Sequence, residues 1–138
     1  MRIQITSFRD SEADIRSLRD CVFGVEQGVP RELDWDGQDA HCTHVLAKDN
    51  DGIPIGTGRM RADGKIGRLA VLRHCRKQGV GGKMLETLVG AAHQRQLEQV
   101  YLHAQCHAIA FYEEHGFRID GEEFQEAGIL HVSMIRDL

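Results

Sequence analysis

Apolar positions along the chain follow two periods, strict alternation and helical recurrence, and these divide it into elements. Arg2 to Phe8 alternates, with Ile3 and Ile5 on one face, and reads as a strand. Asp10 or Ser11 is placed to cap a helix in which Ile15, Leu18, Val22 and Val25 recur at helical spacing, with Glu12, Asp14, Arg16 and Arg19 outside. That stripe is expected in the core. The helix should break around Gly28-Val29-Pro30, leaving residues 31 to 43 as a loop. His44 to Lys48 and Ile53 to Met60 read as strands joined by the hairpin signal Asp49-Asn50-Asp51-Gly52. A turn at Ala62-Asp63-Gly64 then leads into Lys65 to Val71, a short apolar run of buried-strand type that completes a four-stranded meander.

A glycine cluster at Gly79, Gly81 and Gly82 follows that strand and opens a helix carrying Met84, Leu85, Leu88 and Val89 and ending near Arg95. Val100 to Ala104 is the next strand. A helix crossover separates it from Lys65 to Val71, so the two should run parallel with a right-handed connection. Ala108, Phe111 and Tyr112 share the face of a further helix, Gly116 ends it, Phe117 begins a strand, and Leu130 to Ile135 supplies the last one. The fold class is therefore α/β with a mixed sheet, and at 138 residues the chain is expected to be a single domain, residues 1–138.

Strand, glycine turn and helix start together make an anion site, because unpaired amides at a helix N-terminus point outward and the helix dipole favours negative charge. The expected ligand carries phosphate. Two familiar phosphate loops do not fit. A Walker loop needs glycine at Lys77 and a hydroxyl residue at Met84, and the dinucleotide fingerprint needs its third glycine at Met84.

Composition narrows the partners. A net charge of −4 and a pI near 6.0 leave no basic footprint for nucleic acid. No run is long enough to span a bilayer and no signal-peptide pattern opens the chain, so a cytoplasmic protein without a membrane partner is expected. Cys21, Cys42, Cys75 and Cys106 lack paired spacing and read as free thiols, and the eight histidines match no zinc motif, so no metal is expected. Residues 31 to 43 gather Glu32, Asp34, Asp36 and Asp39 around Trp35, the only tryptophan. Each carboxylate alone reads as solvated loop. Together, with Asp34 and Asp36 flanking Trp35, they would suit a cationic amine.

Arg76-x-x-Gly79-x-Gly81 resembles the pyrophosphate signature of the GNAT superfamily of acyl-CoA N-acyltransferases, and Ala108-x-x-Phe111-Tyr112-x-x-x-Gly116-Phe117 resembles its second block. Residues Val22 to Pro30 and Gly128-Ile129-x-His131-x-x-Met134 are similar to a small bacterial subgroup. The resemblance spans essentially the whole chain. It implies a central mixed sheet whose parallel strands splay apart, flanked by helices, with acetyl-CoA in the gap as acyl donor. Leu69, Ala70 and Val71 would pair with the pantetheine arm, and Gln78, Gly79, Val80, Gly81 and Gly82 would hold the pyrophosphate, with Arg76 and Lys77 supplying charge. His107 stands where many relatives have asparagine, and an imidazole there could serve the same arm.

The implied reaction moves acetyl to a primary amine of a small molecule or peptide by direct attack in a ternary complex. By motif position Tyr112 would protonate the leaving thiolate, and the Val71 backbone N–H would stabilise the oxyanion. A relative's usual glutamate is replaced by Gly67, which leaves Glu26, His103, His131 or a water chain as the base. An acetyl-Cys106 intermediate ranks below direct attack. The alternative from another class is a non-catalytic acyl-CoA-binding sensor module. Neither the acceptor nor the oligomeric state is written in the residue pattern.

Overall fold

Strands in the computed structural model, which describes Met1–Leu138, form one mixed eight-stranded sheet in the order β1-β2-β3-β4-β5-β8-β6, with β7 also paired to β8. The first half is the expected meander. β1 (Arg2–Thr6), β2 (Thr43–Lys48), β3 (Pro54–Met60) and β4 (Lys65–Val71) are neighbours and antiparallel. β5 (Gln99–Gln105) lies parallel to β4, and β8 (Ile129–Asp137) pairs antiparallel to β5 along its length.

Period-two alternation sends the two faces of each strand to different helices. Val45 and Ala47 of β2 enter the main core with α3 (Val80–Gln94), while His44 and Leu46 are covered from the opposite face, where Phe8 of α1 (Phe8–Arg19) lies against the His44 ring at 5.6 Å. On α3 the buried residues Val80, Met84, Leu85, Leu88, Val89 and Ala92 recur at helical spacing. Covering a side chain such as Leu88 is worth about 1.5–3 kcal/mol against leaving it exposed. No helix is long and apolar enough to cross a membrane.

Several local expectations are corrected. The cap of α1 is Ser7, whose Oγ accepts the Asp10 N–H at 3.1 Å; Ser11 instead sits at a kink (φ −126°, ψ 23°) with its hydroxyl 2.7 Å from that of Thr6. Val25 is 84% exposed, because the chain switches to a π-helical turn over Asp20–Glu26 and the wider turn rotates the stripe away from the sheet after Val22. Residues 31 to 43 hold the short helix α2 (Arg31–Asp34) and a 3₁₀ turn at Asp39–His41. The helix bearing Tyr112 is α4 (Ile109–Glu114), preceded by a 3₁₀ turn at Cys106–Ala108. β6 is only Arg118–Ile119, and a strand absent from the sequence reading, β7 (Phe124–Glu126), joins β8 through Ala127 and Gly128, both at positive φ (53° and 74°). Two central residues with positive φ make a type I′ turn, the geometry whose twist matches a hairpin.

Candidate active site

β4 and β5 pair only at Lys65↔Tyr101 and Ile66↔Leu102 and then diverge, although each continues for several residues. The divergence begins at a bulge. Thr57 of β3 faces Ala70 and Arg59 faces Gly67, so Arg68 and Leu69 together oppose Gly58, and Arg68 takes φ 52°. Gly58 leaves room for this bulge: a Cβ would stand 2.6 Å from Leu69 Cδ2, so the Leu69 side chain would have to move. Beyond the bulge, Leu72 N–H is bonded to Ile55 C=O of β3 at 2.9 Å. Because successive amides in a strand point to opposite edges, the Val71 N–H faces the gap.

The resulting cleft has a volume of about 1380 Å³. That exceeds the roughly 300–1,000 Å³ of a single small-ligand pocket and leaves room for two substrates. One end is the glycine turn. Gly79 adopts φ 84° as N-cap of α3, and the first amide paired across it is Lys83 N–H to Gly79 C=O at 3.1 Å. The five amides of residues 78–82 donate to no backbone or side-chain acceptor in the protein. A Cβ on Gly81 would meet only Phe111 at 3.7 Å and Val71 at 3.9 Å, so its lack of a side chain keeps the approach to these amides open.

Most of the expected cofactor residues line this cleft: Leu69, Val71, Arg76, Lys77, Gly79, Val80, Gly81, Gly82, His107 and Tyr112. Two side chains do not. Ala70 points into the core, and Gln78 turns its side chain to the His74 carbonyl at 3.3 Å. Arg76 is engaged elsewhere, with Nε on the Val71 carbonyl at 3.0 Å and both Nη atoms on Glu26, one at 2.6 Å. The hydrogen bond from Arg76 holds Glu26 below the usual carboxylate range, a poor setting for a base, and Glu26 does not line the cleft.

Tyr112 is half-buried, its ring held edge-on between Phe111 at 5.1 Å and Phe117 at 6.0 Å. Burial pushes its hydroxyl up to about 12, so it stays protonated at neutral pH. Cys106 is half-buried on the neighbouring turn and does not line the cleft.

At the other end the loop carboxylates have partners that the sequence reading missed. Arg19 is 1% exposed and bridges Asp34 at 2.8 Å and Asp39 at 2.6 Å. Arg59 bonds Asp39 at 2.9 Å and pairs with Asp36, and Arg68 closes the circuit to Asp34 at 3.3 Å and Asp36 at 3.5 Å. Three arginines and three aspartates thus alternate in a closed ring. Hydrogen bonding from Arg59 holds Asp36 well below the carboxylate range, and burial lowers Arg68. Trp35 lies over the Arg19 guanidinium at 3.9 Å and, with Asp36, is outside the cleft. Of Trp35, Asp34 and Asp36, expected to meet a cationic acceptor, only Asp34 lines the cleft, and both carboxylates are already paired with arginines of the protein. What this loop offers the cleft is Leu33 and Asp34, beside Phe23, Gln27 and Val29.

The facing wall comes from β5 and the β7–β8 hairpin. His103, Gln105, Glu126 and His131 all line the cleft, with Glu126 reaching His103 Nδ1 at 3.3 Å and standing 3.8 Å from His131 Nε2. Glu126 had no signal in the sequence beyond the turn residues that follow it.

The acetyltransferase (GNAT) domain model matches residues 21–138. An N-acetyltransferase of Bacillus subtilis (strain 168), YjcF, itself uncharacterized, is 36% identical over 99% of this chain and 100% of its own. The crystal structure of Escherichia coli ElaA superposes with a TM-score of 0.87 at 30% identity, over 99% of this chain and 100% of that one. An acyl-CoA N-acyltransferase from Pseudomonas aeruginosa gives a TM-score of 0.86 at 30% identity, over 99% of both chains. With its splayed strands and its glycine turn of free amides, the chain belongs to the GNAT acetyltransferase family.

Proposed function

We propose that the cleft takes acetyl-CoA as acyl donor and passes the acetyl group to a primary amine of a small molecule or peptide by direct attack in a ternary complex. The observation that carries this reading is the run of five free amides at residues 78–82, opening on the same cleft as Tyr112 and the unpaired edge of β4. Five N–H groups at a helix start suit a pyrophosphate, and an unpaired strand edge suits the amide-bearing pantetheine arm. Lys77 lines the same end and adds positive charge; Arg76 would first have to leave Glu26. His107 lines the wall beside Tyr112, within the region the arm would cross.

The Val71 N–H, directed into the gap, is the oxyanion donor in this reading. Tyr112 acts on the departing sulfur, and its elevated value of about 12 defines how. A thiol ionises near 8.5, below Tyr112, so full proton transfer from Tyr112 to a free thiolate is uphill. The hydroxyl therefore stabilises the developing negative charge as a hydrogen-bond donor, and the thiolate takes its proton from water on release. Of the expected bases, Glu26 is tied to Arg76, while His103 and His131 face the cleft.

A thiol-release assay across a panel of primary amines tests the proposal. Amine-dependent release of CoA is expected. Tight acetyl-CoA binding without release for any amine would favour a binding module instead.

A further inference from the structure

Glu126 stands in the cleft as a carboxylate between two imidazoles, and its surroundings fix what each can do. A carboxylate only accepts, so His103 Nδ1, 3.3 Å from Glu126 Oε1, has to carry the proton of that hydrogen bond. In the neutral ring the remaining nitrogen, His103 Nε2, then carries the lone pair. His131 is pinned differently: its Nδ1–H donates to the Ile129 carbonyl at 2.7 Å, and its Nε2 is 3.8 Å from Glu126 Oε2. Phe124 holds both rings, edge-on to His103 at 4.9 Å and stacked with His131 at 6.0 Å. The type I′ turn at Ala127-Gly128 sets Glu126 opposite Ile129 in register, and Phe124 opposite His131. Lys65 of β4 lines the same wall and forms no ion pair.

From this arrangement we propose that Glu126 and His103 act as a dyad that takes the proton from the acceptor ammonium, Glu126 as positioning residue and His103 Nε2 as the accepting atom. The inference rests on the direct-attack reading above. An alkyl ammonium near pKa 10.4 must lose a proton before its nitrogen can attack. Transfer to Nε2 leaves an imidazolium whose Nδ1–H remains bonded to the Glu126 carboxylate, which stabilises the charge. The neutral amine forms its N–C bond to the acetyl carbon, and the C–S bond breaks with its electron pair going to sulfur. The ammonium gives up two protons in all: one leaves through His103, the other is lost from nitrogen as the intermediate collapses. One proton is taken up by the thiolate and the other goes to water, so the reaction balances.

The test compares wild type with Glu126→Gln, Glu126→Ala and Glu126→Asp on an alkylamine acceptor and on a hydrazide, whose terminal nitrogen is uncharged at neutral pH. For the alkylamine kcat/KM should fall about 10²-fold in the Gln and Ala variants, within the usual range for a lost acid–base group, with partial recovery in Asp. The hydrazide rate and the Kd for acetyl-CoA should hold. An unchanged alkylamine rate, or equal losses for both nucleophiles, would overturn the dyad. A second readout needs no turnover: ¹⁵N spectra of the imidazoles should show the Nδ1–H tautomer for His103 in wild type and its loss in Glu126→Ala. The same tautomer in both proteins would overturn the proposal. Failure of the wild type to acetylate any amine would overturn the proposed function and the proton-accepting role with it, whereas an unexpected tautomer alone would overturn only the Glu126–His103 pairing.

Discussion

The glycine turn at residues 78–82 presents free backbone amides, whereas the loop at residues 31–43 presents charged side chains already paired, and the two are built on different scales. The turn is contiguous: five successive amides are left free by one helix start. The ring behind the loop is assembled from α1, the loop, β3 and β4, with hydrogen-bonded partners between 15 and 34 residues apart. One is an invitation to an anion; the other is closed on itself. In the turn, unmade hydrogen bonds are the useful feature, since a ligand can complete them. In the ring, burial leaves no room for an unmet charge, so each aspartate lies between arginines. The net gain from such a ring is small because desolvation offsets the attraction, yet removing one member leaves its two neighbours with a single partner each and the ring with an unbalanced charge. The ring fixes Leu33 and Asp34 against the β4 bulge through Arg68, which donates to the carbonyls of both. It therefore shapes this end of the cleft, with only its Asp36 and Arg68 side chains partly exposed.

The largest expected effect comes from breaking the ring. Asp39→Ala leaves Arg19 and Arg59 with one aspartate each and one positive charge in excess in a buried ring, and should cost about 3–5 kcal/mol in urea unfolding, the usual penalty for breaking a buried pair. Normal stability would show that the ring contributes little and the loop is held by its apolar contacts. Acid probes the same region. Asp36 is depressed in the folded state, so its contribution is complete above the ordinary carboxylate value of about 3.9 and is lost as pH falls below it toward the native value. Asp36→Asn should therefore lower stability at neutral pH and flatten the acid limb of the pH–stability curve.

Gly81→Asp addresses the turn. Its Cβ has ordinary contacts, so the fold should survive, while a carboxylate among the amides proposed to hold phosphate should weaken acetyl-CoA binding more than about a hundredfold, since like-charge juxtaposition costs several kcal/mol. Calorimetry on the folded variant checks it, and undiminished affinity would dispose of the pyrophosphate site. Tyr112→Phe comes next. Losing the hydrogen bond proposed to the leaving sulfur should lower kcat by about a hundredfold, near what one hydrogen bond to a charged atom supplies, with Kd for acetyl-CoA nearly constant because the ring packing remains.

Glu26→Gln should have the smallest effect and joins the two regions. It frees Arg76 from an exposed pair, and the released guanidinium should tighten acetyl-CoA binding a few-fold at low salt and not at high salt. Weaker binding in the variant would mean that Arg76 serves the turn best while held by Glu26.

By itself the sequence determined whatever depends on neighbours along the chain. Apolar period located the meander, α3 and β5, and the crossover made β4 and β5 parallel, because alternation and helical recurrence are local consequences of backbone geometry. The glycine turn was legible for the same reason: its free groups are main-chain amides, present at every residue and left unpaired by the turn itself. Only the tertiary structure decided the rest. Asp34, Asp36 and Asp39 read as a solvated acidic loop until folding brought Arg19, Arg59 and Arg68 to them, since a carboxylate's partner is chosen by space and not by spacing. Glu126 stayed invisible because its meaning depends on β7, a three-residue strand too short to show a period, which sets it between His103 and His131. Val25 was misassigned because a π-helical turn changes the residue count per turn, and that change arises from packing rather than from the residues on either side.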